Sequence, residues 1–153
     1  MPIEYLSQFD VLQIRTRLAA QVRTSFDEWN LHGLQSALAA PRQSMFGIEL
    51  QPTLWDKAAI LLSLLIKNHP FHDGNKRIAF IAAQEFLRRN GWDLTVSMPE
   101  AAAFTTGIAA GRVDVPEIVS WLQANAEART EHKDAGCPLG MGTRMAPGTK
   151  NRG

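Results

Sequence analysis

A chain of 153 residues, 45% hydrophobic and 20% charged, suits one globular domain with a single sizeable core, and leaves room for one active site rather than two modules. Its net charge of +1 provides no global electrostatic footprint, so nothing in the overall balance argues for direct binding to nucleic acid or to an anionic membrane. One cysteine, Cys137, excludes an intramolecular disulfide and is compatible with a reducing cytoplasm.

Taken in order, the first residues, Met1-Pro2-Ile3-Glu4-Tyr5, lack a basic segment followed by a signal-type apolar stretch. The longest apolar run, residues 58–66, is interrupted by Ser63 and falls far short of the ~20 residues that cross a bilayer. The expectation is a soluble, cytoplasmic protein with no membrane partner. In residues 7–24, Val11, Ile14, Leu18 and Val22 recur at three- and four-residue steps, with Arg15, Arg17 and Arg23 read as taking other faces. That predicts an amphipathic helix, opened by Ser7 and Asp10 as a capping pair. Residues 26–30 read as an aromatic and acidic connection. Leu34, Ala37 and Leu38 predict a short helix over residues 33–40, ending near Pro41, which cannot continue helical hydrogen bonding. Residues 43–51, with Gly47 ahead of Ile48-Glu49-Leu50, have no helical period and read as a loop or small hairpin.

Pro52, Thr53 and Asp56 mark the start of a helix over residues 53–67. Leu54, Ala58, Leu61, Leu62, Leu65 and Ile66 cover most of its circumference, so it should be largely buried. Lys67 and Asn68 close it, with the cation at the favourable dipole end. A second helix over residues 75–90 carries Arg88 and Arg89 in its last turn and Gly91 as a left-handed cap. Residues 92–96 read as extended, but one such segment makes no sheet. Ser97 with Glu100, and Asp114 with Glu117, open two further helices. The first runs through Ala101, Ala102, Phe104, Thr105 and Ile108 to Gly111; the second carries Val115, Ile118, Val119 and Leu122 beside Trp121. Every long element is helical, which predicts an all-α bundle over residues 1–129, with no internal repeat. From Thr130 onward the chain turns to Gly, Pro, Lys, Arg and Thr without apolar spacing, and residues 130–153 are expected to be a disordered tail in which Cys137 is incidental.

Between the two central helices lies His69-Pro70-Phe71-His72-Asp73-Gly74-Asn75-Lys76-Arg77. It combines an imidazole, a carboxylate, a small-residue turn and two cations. The first turn of the following helix has N–H groups without intrahelical partners and the positive end of the macrodipole, which makes it an anion site. Gly74 admits close approach to the backbone, and Lys76 and Arg77 add full charges, Arg77 with bidentate grip on phosphate oxygens. Asp73 is a hard oxygen ligand suited to Mg²⁺ carried on phosphates. His69, of the residue type that changes charge nearest neutral pH, is suited to take a proton from a hydroxyl nucleophile. Plainer readings stay open for each taken singly: Asp73 as an N-cap, Lys76 and Arg77 as solvated first-turn residues, His69 as a hydrogen-bonded structural histidine. Phe71 reads as core and His72 as exposed spacing. A His72-Asp73 pair also fits metal-dependent phosphohydrolases, but those need more ligands, and neither His32 nor His132 has suitable company.

His-Pro-Phe-x-Asp-Gly-Asn-Lys-Arg resembles the signature of the Fic/Doc (Fido) family, and the lysine before the final arginine resembles its death-on-curing (Doc) branch of toxins rather than the adenylylating Fic branch, which has glycine there. The likeness extends through Gly33-Leu34-Gln35-Ser36-Ala37-Leu38, Pro41-Arg42-Gln43, Pro52-Thr53-Leu54, Phe86-Leu87-Arg88-Arg89-Asn90-Gly91 and Ala110-Gly111 to Trp121-Leu122, about residues 5–128. The resemblance implies a compact helical bundle with a flap before the helix that leads into the motif, which makes residues 43–51 the candidate for aligning the target protein, with an ordinary connecting loop as the plainer reading. It implies a kinase of a toxin–antitoxin system that phosphorylates a threonine of elongation factor Tu with ATP and Mg²⁺, halting translation, and that is neutralised by a Phd-type antitoxin. By motif position, His69 would be the base, Asp73 the Mg²⁺ ligand, the backbone around Gly74, Asn75 and Lys76 the phosphate cradle, the Asn75 side chain an orienter of phosphate, and Arg77 the group that neutralises the nucleotide phosphates. Thr24 with Glu28 resembles the inhibitory Ser/Thr-x-x-x-Glu helix of some Fic relatives, but Trp29 follows where that pattern has glycine or asparagine, so a separate antitoxin is expected.

Two other outcomes are carried forward. A Fic-type adenylyltransferase would present the α-phosphate to the base; Lys76, by filling space and adding charge, should favour the γ-phosphate instead. A non-catalytic phosphate-binding regulatory module would keep the nine-residue turn only as an anion-binding helix start.

Overall fold

A helix with leucine, isoleucine or alanine on nearly every side has to be enclosed by other elements. The computed structural model describes residues 2–22, 30–71 and 74–129, and in it that helix occupies the middle of the molecule. In chain order the elements are α1 (Gln8–Val22), α2 (Leu31–Ala39), a 3₁₀ turn (Ala40–Arg42), β1 (Ser44–Met45), β2 (Ile48–Glu49), α3 (Leu54–Lys67), α4 (Asn75–Arg89), β3 (Trp92–Leu94), α5 (Met98–Ala109), α6 (Val115–Ala124) and β4 (Ala126–Ala128). The expectations for Arg23, the connection at 26–29, the Thr24 and Glu28 pairing, His72, Asp73 and the 130–153 tail lie outside the described residues. None of the described helices is long and apolar enough to cross a membrane.

The helix starts follow from short-range chemistry. Thr53 Oγ1 accepts the Asp56 N–H at 3.0 Å while the Asp56 carboxylate accepts the Thr53 N–H at 3.2 Å. Ser97 with Glu100 and Asp114 with Glu117 make the same reciprocal pair, each satisfying two orphan N–H groups. Ser7 and Asp10 do so ahead of α1. α2 begins earlier than residue 33, because Asn30 caps it through Gly33 N–H at 3.0 Å. At its other end it tightens into the 3₁₀ turn through buried Pro41 instead of stopping.

Leu61, Leu62, Leu65 and Ile66 of α3 meet Ala79, Ala82, Ala83, Phe86 and Leu87 of α4, and Ile118 and Leu122 of α6, all buried. The alanines let the α3 and α4 backbones approach closely. Trp121 stacks on Phe104 at 3.9 Å between ring centres and joins α6 to α5. Residues 92–94 do form a sheet, contrary to the expectation of an unpaired segment: β3 pairs antiparallel with β4, Trp92 opposite Ala128 and Leu94 opposite Ala126. The partner escaped the sequence reading because Ala126-Glu127-Ala128 has neither β-branched residues nor an apolar alternation.

An ionic cluster ties α1 to α4. Arg89 donates to both Asp10 oxygens at 3.1 Å and to Glu85 at 2.8 Å, and Arg88 also grips Glu85. Hydrogen bonding from Arg88, against the opposing effect of burial and with help from Arg89, pulls the Glu85 carboxyl from 4.5 down to about 2. Burial pushes Asp10 up, but hydrogen bonds from Arg89 and Ser7 outweigh it and leave that carboxyl below its ordinary value. A carboxyl depressed by folding stabilises the fold above its unfolded pKa and loses that contribution as pH falls toward the folded one. Glu85→Gln is therefore expected to lower stability at pH 7 by roughly 1 kcal/mol, discounted because the carboxylate is a quarter exposed. The gap from the parent chain should close between about pH 4.5 and 2. Urea unfolding at pH 7, 4 and 3 measures it, and a gap independent of pH contradicts it.

Candidate active site

α3 ends at Asn68, and its side chain donates to Gly33 O at 3.0 Å, which holds the exit of α3 against the start of α2. A Cβ on Gly33 would lie 2.8 Å from Asn30 Nδ2 and 3.2 Å from Asn68 O, so only glycine permits this approach. Asn30 N–H then donates to Pro70 O, pinning the next residue of the turn. Between these anchors His69 adopts φ +44°, a left-handed backbone that a bulky residue enters only when its surroundings impose it. Its ring is exposed.

Phe71 is 3% exposed and anchors the turn in the core, as its sequence position suggests. The amide of Asn75 clamps it: Oδ1 accepts the Phe71 N–H at 3.0 Å, and Nδ2 donates to Phe71 O at 2.8 Å. Nδ2 also approaches His69 Nδ1 at 3.4 Å. That length orients the ring without deciding which nitrogen carries the proton. The Asn75 side chain thus holds the turn in place, while the residue also lines a cavity at the start of α4. The Arg15 guanidinium lies 5.2 Å from the centre of the Phe71 ring and is 6% exposed. Contrary to the expectation of another face of α1, Arg15 stands four residues after Val11 and three before Leu18, on the apolar stripe itself. That spacing was the signal that should have placed it in the interior.

Gly74 stands at the N-cap of α4 with φ +77°, and its open surroundings show that the dihedral, not space, calls for glycine. α1, α2, α3, α5 and α6 each receive a side-chain cap from Ser7, Asn30, Thr53, Ser97 and Asp114. Among the described residues no side chain caps α4. The N–H groups of Asn75, Lys76 and Arg77 therefore have no acceptor within their helix, and the positive end of its dipole faces outward.

A cavity of about 780 Å³ opens against this helix start. His69, Gly74, Asn75, Lys76, Arg77 and Arg15 line one side, and Leu18, Ala19, Phe80, Ala101 and Ala102 form an apolar side closed by Thr105 and Thr106. The size is that of a small-molecule site, with polar groups gathered at one end and an apolar wall at the other. Such an arrangement accepts a ligand carrying both an anionic group and an apolar ring. Five of the six residues singled out from the sequence meet at this cavity; the sixth, Asp73, lies outside the described residues. Among those described, no cluster of three His, Cys, Asp or Glu residues is placed to hold a metal ion.

The family model described as Fic/DOC matches residues 5–87. Toxin Doc of Mycolicibacterium smegmatis is 35% identical over 127 residues, which is 82% of this chain and 95% of that protein. Protein kinase doc of Escherichia phage P1 is 34% identical over 91 residues, 60% of this chain and 71% of that protein.

Asn75→Ala should leave the buried Phe71 N–H without its acceptor, a loss of about 1–3 kcal/mol. Thermal unfolding checks the stability. Faster amide exchange at Phe71, with α6 amides unaffected, checks that the damage is confined to the turn.

Proposed function

The chain belongs to the Fic/DOC family, and on that premise we propose that it is a Doc-like toxin of a type II toxin–antitoxin system, a kinase that transfers a phosphoryl group from ATP to a threonine hydroxyl of a translation protein such as elongation factor Tu. The observation that carries the reading is the α4 start, which with Lys76 and Arg77 opens on the same cavity as His69 and receives no side-chain cap from the described residues. A triphosphate seated there would place its charge on the N–H groups of Asn75, Lys76 and Arg77 and on the two cations, while the apolar wall receives the base. Protein dipoles and charges fixed in advance are where phosphoryl transfer gains most of its rate.

In this reading His69 takes the proton of the target hydroxyl as its oxygen bonds the γ-phosphorus and the bridge to the β-phosphate breaks, releasing ADP. Asp73 is the residue that would hold Mg²⁺, whose chemistry is to neutralise and orient phosphate charge. Lys76 at the cavity wall favours presentation of the γ-phosphate over the α-phosphate, hence a kinase over the Fic-type adenylyltransferase. Arg15 adds a third cation from α1. The hairpin of β1 and β2 would align the target, and a Phd-type antitoxin is the expected neutralising partner.

Incubating the purified chain and elongation factor Tu with ATP labelled at either position tests this. Label should pass from the γ position only; transfer from the α position would establish adenylylation. His69→Asn, a side chain that tolerates the left-handed backbone at this position, should reduce transfer by about 10²- to 10⁴-fold with thermal stability retained. Undiminished growth arrest by that variant would instead favour the non-catalytic module.

A further inference from the structure

An ammonium group buried among apolar side chains needs its charge balanced and its three donors satisfied. Lys57 in the first turn of α3 is 2% exposed. Its Nζ donates to Pro41 O at 3.2 Å, to Glu49 Oε1 at 2.6 Å and to Gln51 O. The Tyr5 ring lies over it at 6.0 Å.

These acceptors are distributed tellingly along the chain. Pro41 precedes the hairpin, Glu49 belongs to β2, and Gln51 follows it, so one side chain of α3 grips both ends and one strand. The hairpin has little else to hold it. Each strand is two residues long, Ser44 opposite Glu49 and Met45 opposite Ile48, with one further bond from Leu50 N–H to Gln43 O. Isolated two-stranded ribbons of this size are not stable in water. Residues 43–50 are all exposed, so they bring no apolar side chain of their own into the core. At the tip Phe46 is 95% exposed at φ +53°, flanked by Met45 and Ile48, also exposed. Four residues into α3 is Lys57, and just past its other end is His69, so a single rigid helix spans from the hairpin's anchor to the imidazole.

We infer that Lys57 is a positioning residue for the protein substrate: by latching residues 41–51 to α3 it fixes the height and angle of the hairpin relative to His69, so that a hydroxyl-bearing segment laid along the hairpin meets the imidazole. The inference rests on the hairpin's role in the proposed function. Glu49 completes the latch from the hairpin side, and its half-exposed carboxylate is the one acceptor that a substitution can remove without disturbing the core.

The test uses the full chain with Lys57→Met, which keeps the length of the stem and removes the donors, and Glu49→Gln. Two readouts are needed. In the first, chymotrypsin cleavage after Phe46 should accelerate about tenfold in Lys57→Met and a few-fold in Glu49→Gln, as loss of a charge-assisted bond implies. In the second, transfer of γ-label to elongation factor Tu should show a KM for that protein about tenfold higher in Lys57→Met, with kcat and the KM for ATP within about twofold. A parallel fall in kcat and in melting temperature, with KM for elongation factor Tu unchanged, would make Lys57 a purely structural residue and overturn the inference. If Lys57→Met does not fold, Glu49→Gln decides: unchanged cleavage and unchanged KM overturn it. If the parent chain transfers no label to elongation factor Tu, the proposed target has failed, and the cleavage assay judges the latch alone, unaltered cleavage again overturning it.

Discussion

The pairing of the Asn75 amide with the Phe71 peptide is the contact on which the rest of the site depends. It joins the turn that leaves α3 to the first turn of α4. Without it, the Phe71 N–H and C=O would lose these partners, and the bend at His69 and the left-handed start at Gly74 would lose a restraint that spans them. α3 and α4 pack along their length through leucine and alanine, so the turn inherits the rigidity of the core while its reactive groups stay at the surface. α2 adds the second restraint, through Asn68 and Asn30, from the opposite side of the turn.

Charge is sorted by the same architecture. The chain is nearly neutral overall, yet several of its arginines are occupied elsewhere: Arg88 and Arg89 by Glu85 and Asp10, Arg129 by Asp93 at 3.1 Å, Arg42 over the Tyr5 ring. Lys76 and Arg77 have no carboxylate partner among the described residues, and with Arg15 they face one cavity. Local potential at the α4 start therefore arises from pairing at a distance as much as from the cations themselves. A formal net charge could not reveal it.

What was legible in the sequence was short-range. Thr53 with Asp56, Ser97 with Glu100 and Asp114 with Glu117 each close within three residues and mark helix starts that the structure reproduces. The nine-residue turn gathers most of its chemistry within one helical turn of Gly74, so five of its six candidate residues could be seen to converge. What was not legible depends on partners far along the chain. β4 is a strand only because β3 lies beside it, some thirty residues earlier. Lys57 looks like any first-turn lysine until the 41–51 segment folds over it. The contact of Asn75 with the Phe71 peptide is equally hidden, since nothing in its neighbours betrays that Phe71 would turn toward it. Arg15 is a different case: its spacing did lie on the apolar stripe, and the charge of the residue masked the geometry.

The left-handed backbone at His69 restricts which replacements can report on the imidazole alone. Alanine or a β-branched residue placed there would relax the bend as well as delete the ring, mixing two effects in one measurement. Asparagine enters that region of dihedral space more readily than other side chains and is close in size to half the ring. A chain carrying it would keep the native curvature of the turn while lacking the proton acceptor, and so would serve as an inert but shape-faithful copy for capturing whatever the intact protein engages.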